Sequence, residues 1–288
     1  MRLKTNTEVK TEYYDSVAEF VRVSETRPTT EPFNEKCNGV EDRLFSRRGS
    51  EDFTGTASWE QAQHLLSHGY LEGAKKIING NGGVKFKGNG TRSRQEIAMV
   101  GTMPHVPNAI IGLPKAMIRR VKIVRPQKAI SLFYDCSAGS ATTADTLSAG
   151  GQNIYALTKY LESTGYRVQL YACVFCTDPE LDERKASACI KVKDYKQAVN
   201  PLLISYPITH PSFFRRHIFH WVETCPFTAH KGFVWSMGRG TKYSYNDTPN
   251  GMQDYLRKNG IIGKDDHYLD CEEVSRCTTM EQLLNLIA

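Results

Sequence analysis

The sequence predicts an α/β protein, a three-layer and mostly parallel sheet preceded by a small helical, loop-rich region. Three observations carry this reading. In the second half of the chain, short apolar runs alternate with amphipathic stretches in the order strand, helix, strand, strand, helix, strand, helix. The run Ala129-Ile-Ser-Leu-Phe-Tyr134 is largely apolar, as suits a central strand covered on both faces. With 288 residues, 40% of them hydrophobic and 24% charged, the chain has ordinary globular composition and length enough for a sizeable core.

Residues 1–52 read as an N-terminal helix and a flexible connector. Val17, Phe20 and Val21 recur at helical spacing from Asp15 to Val23, behind Asp15 or Ser16 as cap. From Ser24 to Asp52 Thr, Pro, Glu, Asn, Arg and Gly dominate, which predicts an extended or partly disordered link. Residues 53–116 read as a small helical and loop region. Ser58 and Gln61 form a capping box for a helix ending near Gly69, and Leu71 to Ile78 is a second helix. The glycine-rich basic loop Asn79 to Arg94 lacks the Gly-Lys-Ser/Thr ending and the preceding strand of a Walker A motif. It reads as a basic hairpin or partner-binding arm. Pro104, Pro107, Gly112 and Pro114 then mark an ordered connection.

The α/β domain occupies 117–288. Met117 to Val124 is a strand whose Arg119, Arg120, Lys122 and Arg125 suit a charged sheet edge. Ala129 to Tyr134 is the central strand, the loop Asp135 to Gly151 follows, and Asn153 to Ser163 is a helix capped by Gly165. Tyr166 to Phe175 and Ser187 to Tyr195 form an antiparallel hairpin. An aromatic helix from Pro211 to Glu223, a strand from Lys231 to Met237, a helix from Met252 to Asn259, a short strand from Tyr268 to Glu272 and a helix from Thr279 to Ile287 complete the order.

Net charge is +6, but it is unevenly spread. Lys75 to Lys128 holds 12 Lys and Arg against one carboxylate, Glu96, an excess of +11, so the remainder sums to −5. Such asymmetry fits a polyanion or an acidic protein surface as partner, or neutralisation across an internal interface. For DNA or RNA the contact residues would be Lys85, Lys87, Arg92, Arg94, Arg119 and Arg120. No apolar run is long enough to cross a bilayer and the N-terminus lacks a signal-peptide core, so a cytoplasmic protein with no membrane partner is expected. Eight cysteines without paired metal spacings agree with a reducing compartment.

The stretch Ile130-Ser-Leu-Phe-Tyr-Asp-Cys-Ser-Ala-Gly-Ser140, followed by a small-residue loop, a helix and Gly165-Tyr-Arg-Val-Gln-Leu-Tyr171, resembles the first half of a von Willebrand factor A-like domain. In that family an apolar strand ends in Asp-x-Ser-x-Ser, and the carboxylate and hydroxyls converge on a divalent cation whose open position takes a carboxylate from a partner. The resemblance implies Mg²⁺ or Mn²⁺ at Asp135 and Ser137, with Ser140 one place late for the motif and Thr177 as a substitute oxygen. It also implies a later Thr and an Asp at the end of the fourth strand. The strand Gly232 to Gly238 instead ends at Arg239, whose guanidinium would replace the metal beside Asp135. The residues as they stand favour that metal-free form. The segment Phe53-Thr-Gly-Thr-Ala-Ser-Trp-Glu-Gln-Ala62, with Val106-Pro and Gly112-Leu-Pro114 after it, is similar to a phage-encoded family in which it precedes such a domain. A non-enzymatic phage-type module is the expectation, binding a protein through the Asp135 to Ser140 edge or the basic arm. A nucleic-acid-binding accessory protein is the alternative.

Other candidates carry less. Cys173 and Cys176 on one strand face opposite ways and cannot share a metal there. His217 and His220, with His210 upstream, and the pair His64 and His68 have helical spacing but no fourth ligand beside them. Cys136 at a strand-to-helix loop lacks a visible base and the Gly-x-Ser-x-Gly elbow, which leaves a hydrolase as a residual reading.

Overall fold

The computed structural model describes residues 1–5, 9–80, 93–122, 128–137, 142–177, 185–229 and 251–287. At the N-terminus β1 (Arg2–Thr5) and β2 (Val9–Tyr14) pair antiparallel, and α1 (Val17–Thr26) follows. Ser16 is the α1 cap, its hydroxyl accepting the Glu19 amide. The stretch expected to be an extended connector is folded. α2 (Glu31–Cys37) and α3 (Glu51–Thr54) lie within it, and Phe33, Cys37 and Leu44 are buried in the same core as Phe20. Its turn-forming residues are element ends: Asn38 closes α2 at φ 53° and Ser50 caps α3. α4 (Trp59–His68) opens on Ser58, which accepts the Gln61 amide, while the Gln61 side chain reaches back one residue further, to the Ala57 amide at 2.7 Å. α5 (Leu71–Asn79) follows.

A second, separate sheet comes next: β3 (Ser93–Ala98), β4 (Met103–Pro104), the short α6 (Val106–Ile110) and β5 (Met117–Lys122). β5 lies in the middle, antiparallel to both others. It was expected at the edge of the main sheet, but its two neighbours are local. Cross-strand pairing within thirty residues closes a much shorter loop than docking on a distant sheet.

The main sheet is built around β6 (Ala129–Asp135). α7 (Ala144–Ser163), β7 (Arg167–Thr177), β8 (Lys185–Lys193) and α8 (Pro201–Thr209) follow. A π-helical turn, Phe213–Ile218, runs into α9 (Phe219–Thr224), and α10 (Gly251–Lys258), β9 (His267–Asp270), α11 (Cys271–Arg276) and α12 (Met280–Asn285) end the chain. The strand order is β1-β2-β8-β7-β6-β9, with β2 against β8, β7 against β6 and β6 against β9 parallel. β7 and β8 form the expected antiparallel pair. β6 is interior, and alternate residues serve two cores. Leu132 and Tyr134 face the helices α1, α7 and α8, whereas Phe133 packs with Tyr171, Phe175 and the α10 residues Tyr255 and Leu256. The sheet is therefore covered on both faces. Residues 231–237, expected as the fourth strand, lie outside the described residues, and the strand that flanks β6 is β9.

The segment Phe53 to Ala62 has a structural role. Arg216, fully buried, donates to the carbonyls of Ser46, Arg47 and Thr56 and to the hydroxyls of Thr54 and Thr56 at 2.8–3.1 Å. Gly55 between them sits at φ +79° with Pro211 so close that a Cβ would lie 2.6 Å from its ring. Trp59 packs at an angle against the rings of His217 and His220, with centroids 5.0 and 5.2 Å away.

Candidate functional site

β6 and β9 run parallel and end together, so Asp135 and Asp270 are partners across the ladder, each the last residue of its strand. Strand alternation turns both side chains to the face opposite Tyr134 and Leu269. Asp270 also caps α11, accepting the amides of Glu272 and Glu273 at 2.9 and 3.1 Å. Asp135 is 1% exposed and Asp270 6%. Asp135 accepts the Ser137 amide at 2.8 Å and the Tyr268 hydroxyl at 2.7 Å. Burial and then the Asp270 charge push its pKa up to about 6, while the Ser137 hydroxyl and amide and the Tyr268 hydroxyl pull in the other direction. The Ser137 hydroxyl itself is fully buried and makes no hydrogen bond of ordinary geometry. The Tyr134 hydroxyl is likewise buried without one. Two hard carboxylates and a buried hydroxyl thus share the carboxyl edge of two neighbouring parallel strands, where α/β sheets place their ligands.

The cysteines around this edge are packing groups. The Cys271 thiol donates to the Ser137 carbonyl at 3.3 Å and the Cys136 thiol to the Cys173 carbonyl at 3.0 Å. Burial, followed by the Asp135 charge, raises the Cys136 pKa well above its ordinary value, the opposite of an activated nucleophile.

Of the residues expected at the site, Asp135 and Ser137 are together. Thr177 ends β7 four residues beyond Cys173, the partner of Asp135, which carries its backbone roughly 13 Å along the strand. Ser140 and Arg239 lie outside the described residues, as do Lys85, Lys87 and Arg92. Arg94 and Arg119 both bridge Glu96 on the small sheet, at 3.6 and 2.5 Å, and Arg120 is exposed. Cys173 and Cys176 face the two different cores. His217 bonds the Tyr206 hydroxyl at 3.1 Å, His210 stacks on Tyr206, and the exposed His64 and His68 rings stack on each other at 4.1 Å. Asp270 was missed by sequence reasoning. Its signal was an Asp ahead of Cys-Glu-Glu, a helix N-cap with an acidic first turn.

Among the described residues no group of three or more His, Cys, Asp and Glu converges as a metal cluster, and no helix is long and apolar enough to cross a membrane. The donors at the β6 and β9 edge fit a hard divalent cation of the Mg²⁺ type, which is commonly held by one or two carboxylates and keeps several waters. No curated protein and no solved structure matches the chain. One family model runs along nearly all of it, residues 3–287, and the chain belongs to that family, described as Domain of unknown function (DUF7192).

Proposed function

We propose that the chain is a non-enzymatic, phage-type protein-interaction module of von Willebrand factor A-like architecture, engaging a protein partner through the carboxyl edge of β6 and β9. One observation carries the reading: Asp135 and Asp270 stand side by side on adjacent parallel strands next to the buried Ser137 hydroxyl. The resemblance calls for an aspartate at the end of a later strand, and Asp270 meets that need where the Gly232 to Gly238 run did not. The strand order β8-β7-β6-β9, with only β8 reversed, supports the architecture.

Asp135, Ser137 and Asp270 would hold Mg²⁺ or Mn²⁺, which when bound offers an open position to a partner carboxylate. Tyr268 orients Asp135 through its hydroxyl, and Asp270 is fixed by the amides of α11. All eight cysteines are free thiols, which supports action in a reducing cytoplasm.

Millimolar Mg²⁺ or Mn²⁺ should raise the melting temperature by several degrees, because a cation that binds only the folded chain stabilises it by mass action. Asp135→Asn and Ser137→Ala should each abolish the shift in differential scanning fluorimetry. A cation-independent melting temperature, or a shift that survives both substitutions, overturns the cation-assisted reading.

A further inference from the structure

The small sheet of β3, β4 and β5 with α6 is held by its own backbone pairing and buries none of the residues from Arg94 to Val121. Backbone hydrogen bonds fix its turn: the Thr102 amide reaches the Ile118 carbonyl at 2.9 Å, and the His105 amide reaches the Ala116 carbonyl at 2.8 Å. Gly101 passes so near β5 that a Cβ would lie 2.3 Å from the Ile118 carbonyl oxygen. Even so, no residue from Arg94 to Val121 is buried, and none belongs to either core. Of the fifteen exposed large apolar side chains among the described residues, eight fall between Ile97 and Leu113. Val100 and Ile110 are each 78% exposed and Ile111 is 69% exposed. Ile97 and Met103 flank Ile118 in register across the sheet, so one face presents an aliphatic row. Three strands need a packed face for stability, and exposed apolar clusters of this kind mark interaction sites.

We propose that this small sheet and its α6 turn form a second docking surface, for a protein partner that presents aliphatic side chains within an acidic rim. Charge selects that occupant. Between residues 93 and 122 stand Arg94, Lys115, Arg119, Arg120 and Lys122 against Glu96 alone, an excess of +4. A second copy would bring like charge to like charge, which disfavours self-association. The same stretch contains no Phe, Tyr or Trp. It therefore lacks the stacking platforms of single-stranded nucleic-acid binders and the aromatic anchors of membrane interfaces. The surface is independent of the cation site.

The test uses the full chain in EDTA, with a fluorescent amphipathic Glu/Leu 16-residue peptide as probe and a Lys/Leu peptide of the same pattern as control. The acidic peptide should bind at least tenfold more tightly than the basic one and should protect residues 93–122 from hydrogen exchange. The double variant Ile110→Ser/Ile111→Ser, altered only at exposed positions, should lose at least tenfold in affinity with an unchanged melting temperature. Lys115→Glu/Arg120→Glu should lose a similar factor at low salt. No binding of the acidic peptide, or an affinity unmoved by both double variants, overturns the proposal. So does tighter binding of single-stranded DNA or phosphatidylserine vesicles through the same residues, or concentration-dependent dimerisation that Ile110→Ser/Ile111→Ser removes. Binding unaffected by EDTA and by Asp135→Asn separates this surface from the β6 and β9 edge.

Discussion

Glu12 shows how one buried charge ties distant parts of the chain together. It is 1% exposed and takes a two-pronged hydrogen bond from Arg27 at 2.7 and 3.0 Å, one from the Trp221 indole at 2.9 Å and one from the Tyr14 hydroxyl. Burial pushes its pKa up, but the hydrogen bonds from Arg27, Tyr14 and Trp221 outweigh it and the carboxyl titrates below the ordinary range. Glu12→Gln should cost about 3 kcal/mol in urea unfolding, because a guanidinium is left without its counter-charge. Histidines set the acid limit of stability. Burial pushes His217 down to about 3 and His210 to about 4, against an ordinary value of 6.5. The unfolded chain then binds more protons than the folded one below pH 6.5, so their contribution is complete above that pH and is lost as pH falls toward 4. Glu12 adds to this loss below about pH 4.5. Asp135, raised from 3.8 to about 6, works the other way, stabilising the fold as pH falls through that window. With two histidines against one aspartate, the melting temperature should drop between pH 7 and pH 5, and His217→Gln should flatten the profile. At this scale Asp135 and Ser137 were legible because the motif is contiguous in sequence. Asp270 was not: the short strand expected at Tyr268 to Glu272 carries no sign of which strand it flanks, and Asp270 meets Asp135 only through pairing with β6 across 135 positions.

Among the elements, α7 shows why local cues mislead. Thr142 to Gly151, the second half of the expected loop, is rich in small residues and contains two adjacent glycines, yet α7 begins at Ala144 behind a Thr143 cap. The glycines are there for close approach. A Cβ on Gly151 would lie 2.3 Å from the Ile208 carbonyl oxygen of α8, and one on Gly150 would lie 2.9 Å from the Cys271 carbonyl oxygen of α11. Backbone atoms cannot swing aside as side chains do, so Gly151→Ala should destabilise the protein by about 1–3 kcal/mol despite its better helix propensity. Chemical denaturation checks this, and a stabilised variant would contradict the packing. β6, β7 and β8, by contrast, were legible to within two residues at each end, because strand-forming runs bounded by turn residues have few alternatives. β1 and β2 were not, since Arg2–Thr5 and Val9–Tyr14 are short and mostly polar, and their partner β8 is defined only by the folded chain.

Taken as a molecule, the chain does not divide where its composition changes. Phe20, Phe33, Leu44 and Ile77 share one core with Leu132, Ile154 and Trp221, so the boundaries near residues 52 and 116 cut through contacts. A fragment of residues 117–288 should therefore give no cooperative unfolding transition in circular dichroism, whereas the full chain should give one. A sharp transition from the fragment would restore the division. The small sheet is the exception, joined by sequence and absent from both cores.

The pairing of β2 with β8 has a consequence for biosynthesis. Tyr14 leaves the ribosome 171 residues before Lys185, the first residue of the strand that β2 lies against. At roughly 5–20 residues per second the first strands wait on the order of ten seconds or more for their partner. During that interval their edge is protected only by Lys10, Glu12 and the hydroxyl-bearing residues beside them, which makes their poverty in aliphatic side chains a safeguard for the nascent chain.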